Sequence, residues 1–441
     1  MGRLFFALIR RVVRLFYRVE LLGADVPSDG PILLVGNHPG GLADPALLLC
    51  TTQRPLLFLG KAPLFSMPVL GAVLRAMGSV PVYRSQDGHN TAQNASAFEA
   101  VHLALAAGQA IALFPEGKSH SLPGLAELRT GAARMALSGA GRTRIVPVGI
   151  TYGNKTRFRS RVTLWVGASL DADDWRAQHS VDPRVAVLAL TGAVGKALGD
   201  VTIQLEKWDE LPLLVVAERL WPKDAVAQSA GARTARMSAL AKGWKEFCAA
   251  DPAQAAEFRA ELESFERDLA RLGARPGHLD VEYPLARVLR FALRGGLHTA
   301  LALAAKGAAR LWFAPAWIAQ ALLLRTVRPS QDVVATYKVL SALVLFPPWH
   351  IAATLLLTSR FGVQAALLIS IVAAMLALTA AALWHHPART WREIRLWLRR
   401  GSLAESGQLR HLASLRRRRT HLSETLTRLA ERRLGASQKL P

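Results

Sequence analysis

Residues 32–45 read Ile32-Leu33-Leu34-Val35-Gly36-Asn37-His38-Pro39-Gly40-Gly41-Leu42-Ala43-Asp44-Pro45. A short apolar run closed by glycine reads as a buried strand, and the stretch from Pro45 onward reads as a helix. The unit is therefore strand, turn, helix, with His38 at the carboxyl end of the strand. The same alternation continues outward to Val166. Apolar runs at 32–35, 56–59, 80–83, 110–114, 145–150 and 162–166 read as strands. Helical stretches lie between them at 45–51, 64–77, 91–107 and 125–137, and Gly108 stands where a helix C-terminus favours glycine. Buried strands alternating with helices predict an α/β fold with a mostly parallel sheet flanked by helices. Ligands of such sheets sit beyond the carboxyl ends of the strands.

The whole chain sets limits on what this domain serves. Its 441 residues amount to roughly three domain-sized units. Two distant cysteines, Cys50 and Cys248, make neither a disulfide framework nor a zinc cluster. Lys and Arg number 55 against 32 Asp and Glu, a net charge of +23, which implies an anionic partner. With 51% hydrophobic residues and a mean hydropathy of +0.20, the chain is too apolar for an ordinary soluble nucleic-acid binder or for disorder. A basic, apolar chain reads as one that lies on or in a membrane.

The flanking segments extend that reading. Residues 1–22 read as an amphipathic interfacial helix with arginines breaking every apolar run, unlike a signal peptide. A surface helix packed on its own domain is the other reading. Residues 23–210 hold the α/β domain. Residues 211–285 lose all strand signals, and the charged stretch 211–279 reads as an exposed helical hairpin that shows no chemistry. Residues 286–337 read as interfacial or re-entrant helices, because Lys306, Arg310 and Pro315 interrupt them. Residues 338–386 hold two runs long enough to cross a bilayer, which takes about 20 residues. Only 358–361 joins them, so they would form a transmembrane hairpin. Residues 387–441 form a basic tail. From Arg389 to Lys439 it carries 14 Lys and Arg against four acids. The positive-inside rule makes it cytoplasmic and, across two crossings, puts the α/β domain on the same side. The tail suits anionic headgroups; a nucleic-acid arm is the rival reading.

Four blocks carry chemistry. In the first, His38 can accept a proton from a hydroxyl, and Asp44 can fix its tautomer. Asp44 also stands before Pro45 like a helix N-cap. The second, Gly78-Ser79-Val80-Pro81-Val82-Tyr83-Arg84, ends a strand in an arginine able to grip a phosphate. The third, Phe114-Pro115-Glu116-Gly117-Lys118-Ser119, offers close backbone approach at Gly117 and charge at Lys118. Its Gly-Lys-Ser imitates a P-loop, but Ala112 stands where the first glycine belongs, so nucleotide binding is set aside. Glu116 can instead bond the backbone N–H groups that shape the loop. The fourth, Val146-Pro147-Val148, suggests a sheet edge or bulge at Pro147.

Together these blocks resemble those of the glycerolipid acyltransferase family, which includes glycerol-3-phosphate and 1-acyl-glycerol-3-phosphate acyltransferases. The resemblance covers roughly residues 19–166. Thr130-Gly131-Ala132-Ala133-Arg134, Phe158-Arg159-Ser160-Arg161 and residues 333–340 also look like one branch of it. Here five residues separate His38 from Asp44 where the usual motif has four, which is similar to a subgroup beginning His-Pro. The resemblance implies that His38 is a general base oriented by Asp44. It implies acceptor binding by Asn37, Arg84, Glu116, Gly117 and Lys118, with Pro147 on the acyl side. The acyl donor would be acyl-CoA or acyl carrier protein, used as co-substrate, with no metal or other cofactor. The partners expected are an anionic phospholipid membrane and a glycerol-phosphate or lysophospholipid acceptor, with nucleic acid not expected. The site is expected in a bacterial inner membrane with the catalytic domain cytoplasmic. An acyltransferase for another lysophospholipid or an amino-lipid, or an inactive lipid-binding relative, would carry the same blocks.

Overall fold

A computed structural model describes residues 2–66, 68–83, 94–138, 142–221, 230–272, 276, 279, 285–329, 334–383 and 409–433. Its strands are β1 (Tyr17–Gly23), β2 (Ile32–Gly36), β3 (Leu56–Lys61), β4 (Val80–Val82), β5 (Ala110–Leu113), β6 (Arg144–Tyr152), β7 (Ser160–Val166) and β8 (Leu170–Asp171). They form one sheet in the order β1-β7-β6-β2-β5-β3-β4, with β8 on β6. Pairing is parallel except where β6 meets β7 and β8. The decisive run thus becomes β2, buried at every residue between β5 and β6.

The two-residue period of the strands divides the core between the sheet's two faces. Ile32 and Leu34 face one layer with Phe6 and Val13 of α1 (Gly2–Phe16) and Leu47 and Leu48 of α2 (Ala43–Leu48). The short helices α3 (Ala62–Phe65) and α4 (Pro68–Ala76) join β3 to β4. Leu33 and Val35 face the other layer, built from α5 (Asn94–Ala106), α6 (Gly131–Ser138) and, beyond α7 (Arg176–Val181), α8 (Pro183–Asp200). All six expected strands are present.

Three expectations change. Residues 1–22 are not one helix: α1 stops at Phe16 and β1 follows as the sheet's edge, parallel to β7. The stop has a cause in Arg159, which sits in the left-handed region at φ 59°. Its N–H donates to the Phe16 carbonyl at 2.6 Å and its guanidinium to those of Arg14 and Leu15, so the open carbonyls at the helix end are taken up. Most of the aromatic face of α1 packs on its own domain, and Arg10 donates to the carbonyls of Leu49 and Thr52. Leu4, Leu8 and Leu15 stay exposed. Pro147 marks no edge, because β6 lies inside the sheet. Its carbonyl accepts from Gly167 where β7 ends, and N and O of one strand residue face the same neighbour. The bond its missing N–H forgoes would thus go to Gly167, one step beyond the last β6–β7 pair, Val148 and Val166, and the pairing with β2 is untouched.

The segment read as an exposed hairpin is a packed layer. It comprises α9 (Glu210–Leu220), α10 (Ala230–Ala250) and α11 (Pro252–Leu272). On the sheet side Thr234 of α10 donates to Thr163 of β7 at 3.0 Å, and Ser238 to the Thr202 carbonyl.

The C-terminal third begins with α12 (Leu285–Trp312) and α13 (Ala314–Val327), which pack along α14 (Val334–Ala382). Gln320 of α13 donates to the Lys338 carbonyl, and Trp312 donates to His350. Gly362, at φ 80° and ψ 164°, breaks α14 into two helices. Thr354 and Ser370 lie symmetrically about it with their hydroxyls 2.7 Å apart. On a straight helix they would be about 24 Å apart, so the chain folds back into a hairpin. Its halves, Thr336–Phe361 and Val363–Ala382, are each long and apolar enough to cross a bilayer. The turn needs Gly362 alone, since its positive φ reverses the chain without a longer loop.

Part of the basic tail returns to the domain as α15 (Leu409–Arg433). Leu415, Leu422 and Leu426 recur at helical spacing and are buried with Leu220, Phe258, Leu262 and Phe265 of α9 and α11. Arg418 pairs with Asp268 at 2.7 Å, and Arg416 donates to the Leu279 carbonyl.

Candidate active site

The carboxyl ends of β2, β5 and β6 bring three segments together. Gly36–His38 leaves β2, Phe114–Gly117 leaves β5, and Tyr152 closes β6. Asn37 joins β2 to β6 through backbone. Its amide nitrogen donates to the Ile150 carbonyl at 3.1 Å, and its oxygen accepts the Ile150 N–H at 2.6 Å. That side chain is spent on the sheet, which fixes where His38 begins.

His38 Nδ1 lies 2.8 Å from Asp44 Oδ2. Asp44 is fully buried. It is not an N-cap: the turn from Gly40 starts α2 two residues earlier than Pro45, and the cap position falls to Leu42. Asp44 instead turns inward. Its Oδ2 also accepts the Gly40 N–H at 2.7 Å, and its Oδ1 accepts the Tyr152 hydroxyl at 2.5 Å. A carboxylate only accepts, so Nδ1 carries the proton and Nε2 keeps a free electron pair. The imidazole stacks on Phe114, with ring centres 4.1 Å apart. The longer His-to-Asp spacing therefore still closes a dyad. The two glycines do this work: Gly41 takes φ +58°, and a Cβ on Gly40 would meet Asp44 Oδ1 and the Tyr152 hydroxyl within 2.7 Å.

Phe114-Pro115-Glu116-Gly117 is a tight turn, with the Gly117 N–H on the Phe114 carbonyl and φ +74° at Gly117. It aims Glu116 back under His38. Glu116 Oε1 accepts the His38 N–H at 2.7 Å. Its Oε2 accepts the Ala126 N–H at 2.7 Å and meets His120 Nε2. His120 Nδ1 accepts the Leu122 N–H, so Nε2 is the donor to Glu116. Glu116 thus shapes the loop. Both of its oxygens bond protein groups of the two site loops. Lys118 is exposed beside the turn. Pro147 is buried in the sheet upstream of Ile150, with its ring against Gly167. Arg84 lies outside the described residues.

Sequence reasoning missed three contributors. Tyr152 holds Asp44, and His120 holds Glu116. Lys155 donates to the Pro39 carbonyl at 2.8 Å and to the Ser121 hydroxyl at 3.0 Å, joining the two site loops. Only Tyr152 left a trace, at the end of the strand that carries Pro147. Burial, then the charge of Asp44, pushes the Tyr152 phenol well above its ordinary range, and the same two causes raise Tyr17 beside it. Both phenols stay protonated donors, Tyr17 to the Lys155 carbonyl. Among the described residues, no group of three or more His, Cys, Asp or Glu is placed to hold a metal ion.

A fixed imidazole with an outward Nε2, held by a buried carboxylate at the sheet's ligand-binding end, is equipped to take a proton from a hydroxyl. Residues 18–151 match the family model described as Acyltransferase. The chain is 27% identical over 278 residues to glycerol-3-phosphate O-acyltransferase 1 of Saccharomyces cerevisiae, covering 58% of this chain and 36% of that protein. It is 30% identical over 134 residues to glycerol-3-phosphate O-acyltransferase 2 of the same yeast, covering 29% and 18%. Among solved structures it is similar to the 1-acyl-sn-glycerophosphate acyltransferase PlsC of Thermotoga maritima, with TM-score 0.33 and 18% identity over 43% of this chain and 78% of that one. The chain spans less than half the length of the curated relatives it matches first.

Proposed function

We propose that the chain is a membrane-seated acyltransferase moving a fatty acyl group from a thioester to the hydroxyl of glycerol-3-phosphate or 1-acyl-glycerol-3-phosphate. The observation that carries this reading is the 2.8 Å His38–Asp44 contact inside an acyltransferase-family domain. His38 Nε2 takes the hydroxyl proton as the oxygen attacks the thioester carbonyl. The tetrahedral intermediate collapses, the C–S bond breaks, and the thiolate leaves with the proton from His38. Asp44 holds the imidazole and stabilises its charged form. No covalent acyl-enzyme is required, because among the described residues no serine or cysteine bonds His38. Lys118 and Arg84 are the cations proposed for the acceptor phosphate. The acyl donor, acyl-CoA or acyl carrier protein, is the only co-substrate.

The hairpin of α14 is proposed to cross the bilayer twice, with the catalytic domain and the basic tail on the cytoplasmic face. Support comes from the length of its two halves and from α15, which packs on α9 and α11 and so keeps the tail beside the domain. Lys338, at the foot of the first half, donates to the Thr156 carbonyl just after the site strand, which would seat the site at headgroup level. Membranes carrying the chain, given labelled long-chain acyl-CoA and each acceptor in turn, test the reading. Product with one acceptor, lost in His38→Ala, is expected. Equal product from wild type and His38→Ala would sink it.

A further inference from the structure

Asp44 accepts three hydrogen bonds, and only one of them comes from His38. The Tyr152 bond is the shortest of the three and comes from the end of β6, 108 positions away. We infer that Tyr152 is a positioning residue of the reaction, which acts through Asp44 by fixing the carboxylate so that Oδ2 faces His38 Nδ1. This rests on the acyl-transfer reading.

The geometry holds the Tyr152 ring in place, packed on the core beside β6, and leaves its hydroxyl on Asp44. Its ring meets the Tyr17 ring edge-on, with centres 5.4 Å apart, and Tyr17 is itself tied to the Lys155 carbonyl. The space beside its hydroxyl is closed by Gly40, where a Cβ would come within 2.6 Å of the phenol oxygen. Gly40 must therefore lack a side chain for the bond to exist. A carboxylate with one oxygen unpaired can rotate about its last torsion, whose preference is broad. With Oδ1 held by the phenol, that rotation is blocked and Oδ2 stays on the imidazole. The phenol also draws on negative charge that Asp44 would otherwise share between His38 and the Gly40 N–H alone. The charged groups around the pair are Lys155 on the Pro39 carbonyl and Glu116 beneath the His38 backbone, with His120 behind Glu116.

Tyr152→Phe keeps the ring and removes only the donor. A hydrogen bond to a charged group, once lost, corresponds to a rate loss of about tenfold. We expect kcat to fall by that factor with KM for both substrates within about twofold. A structural role would add its effect to any background. A role through Asp44 would not, so in an Asp44→Asn background Tyr152→Phe should change nothing further. Full coupling supports the inference. Independent, multiplying losses overturn it, as does a Tyr152→Phe enzyme with wild-type kcat while His38→Ala is dead. A second readout does not depend on turnover. The downfield proton resonance of the His38–Asp44 bond, assigned by its loss in His38→Ala, should move in Tyr152→Phe protein held in detergent. An unmoved resonance overturns the inference whatever the substrate proves to be.

Discussion

The loops around His38 and the hairpin of α14 are built on opposite terms. Around His38, each polar side chain reaches a different segment: Asn37 to β6, Asp44 to Tyr152, Glu116 to Ala126, Lys155 to Pro39. Along α14, what faces outward is Leu355, Leu356, Leu368 and Val363, each more than half exposed. One region gains its geometry from long-range hydrogen bonds and is intolerant of a misplaced atom. The other is specified by length and apolarity, and tolerates many apolar sequences.

The sharpest way to break this contrast is at the site. His38→Ala should cost about 10³-fold in kcat, the scale of a general base, measured as acyl transfer to the preferred acceptor. Glu116→Gln should cost about 10²-fold, because one backbone N–H then faces an amide nitrogen and the His38 loop shifts. Its KM for the acceptor should stay near wild type. A rise in KM alone would give Glu116 a substrate contact and undo the division of roles drawn between it and Asp44.

The remaining tests concern stability. Leu422→Ala in α15 should lower stability by about 2–5 kcal/mol, the cost of a cavity among packed side chains, seen by thermal melting. Leu368→Ala on the outer face of α14 should leave that melting nearly unchanged, whereas Leu368→Arg should impair insertion by about 3 kcal/mol. An equal response of both leucines to alanine would erase the contrast. Last, Tyr17 and Tyr152 are protonated and raised in the folded state. Their contribution is complete below about pH 10, the value in the unfolded chain, and is lost as pH rises through the higher folded values. Melting temperature should fall above that pH, and less steeply in Tyr17→Phe.

The sheet was legible because fully buried strands such as Ile32–Gly36 and Ala110–Leu113 are contiguous in sequence. The dyad was legible because His38 and Asp44 share one short loop. What failed to show was long-range. Edge strand β1 looks like more of an amphipathic helix until β7 pairs with it. Tyr152 lies 108 positions from the carboxylate it holds. The leucine stripe of α15 was overshadowed by the arginines around it, and charge counts say nothing of what a helix buries on its other face.

That stripe also sets an order of events during synthesis. The Ser423 hydroxyl donates to the Leu220 carbonyl across 203 positions, and Leu415, Leu422 and Leu426 fill a core whose other walls were made long before. A ribosome delivers α9 to α11 first, then the apolar hairpin, and α15 only afterwards. The helical layer beside the sheet therefore stays open, with Phe258 and Phe265 uncovered, until the hairpin has been made and delivered. Closure of that layer therefore waits on α15, and a chain cut short after the hairpin would display the open core to proteases.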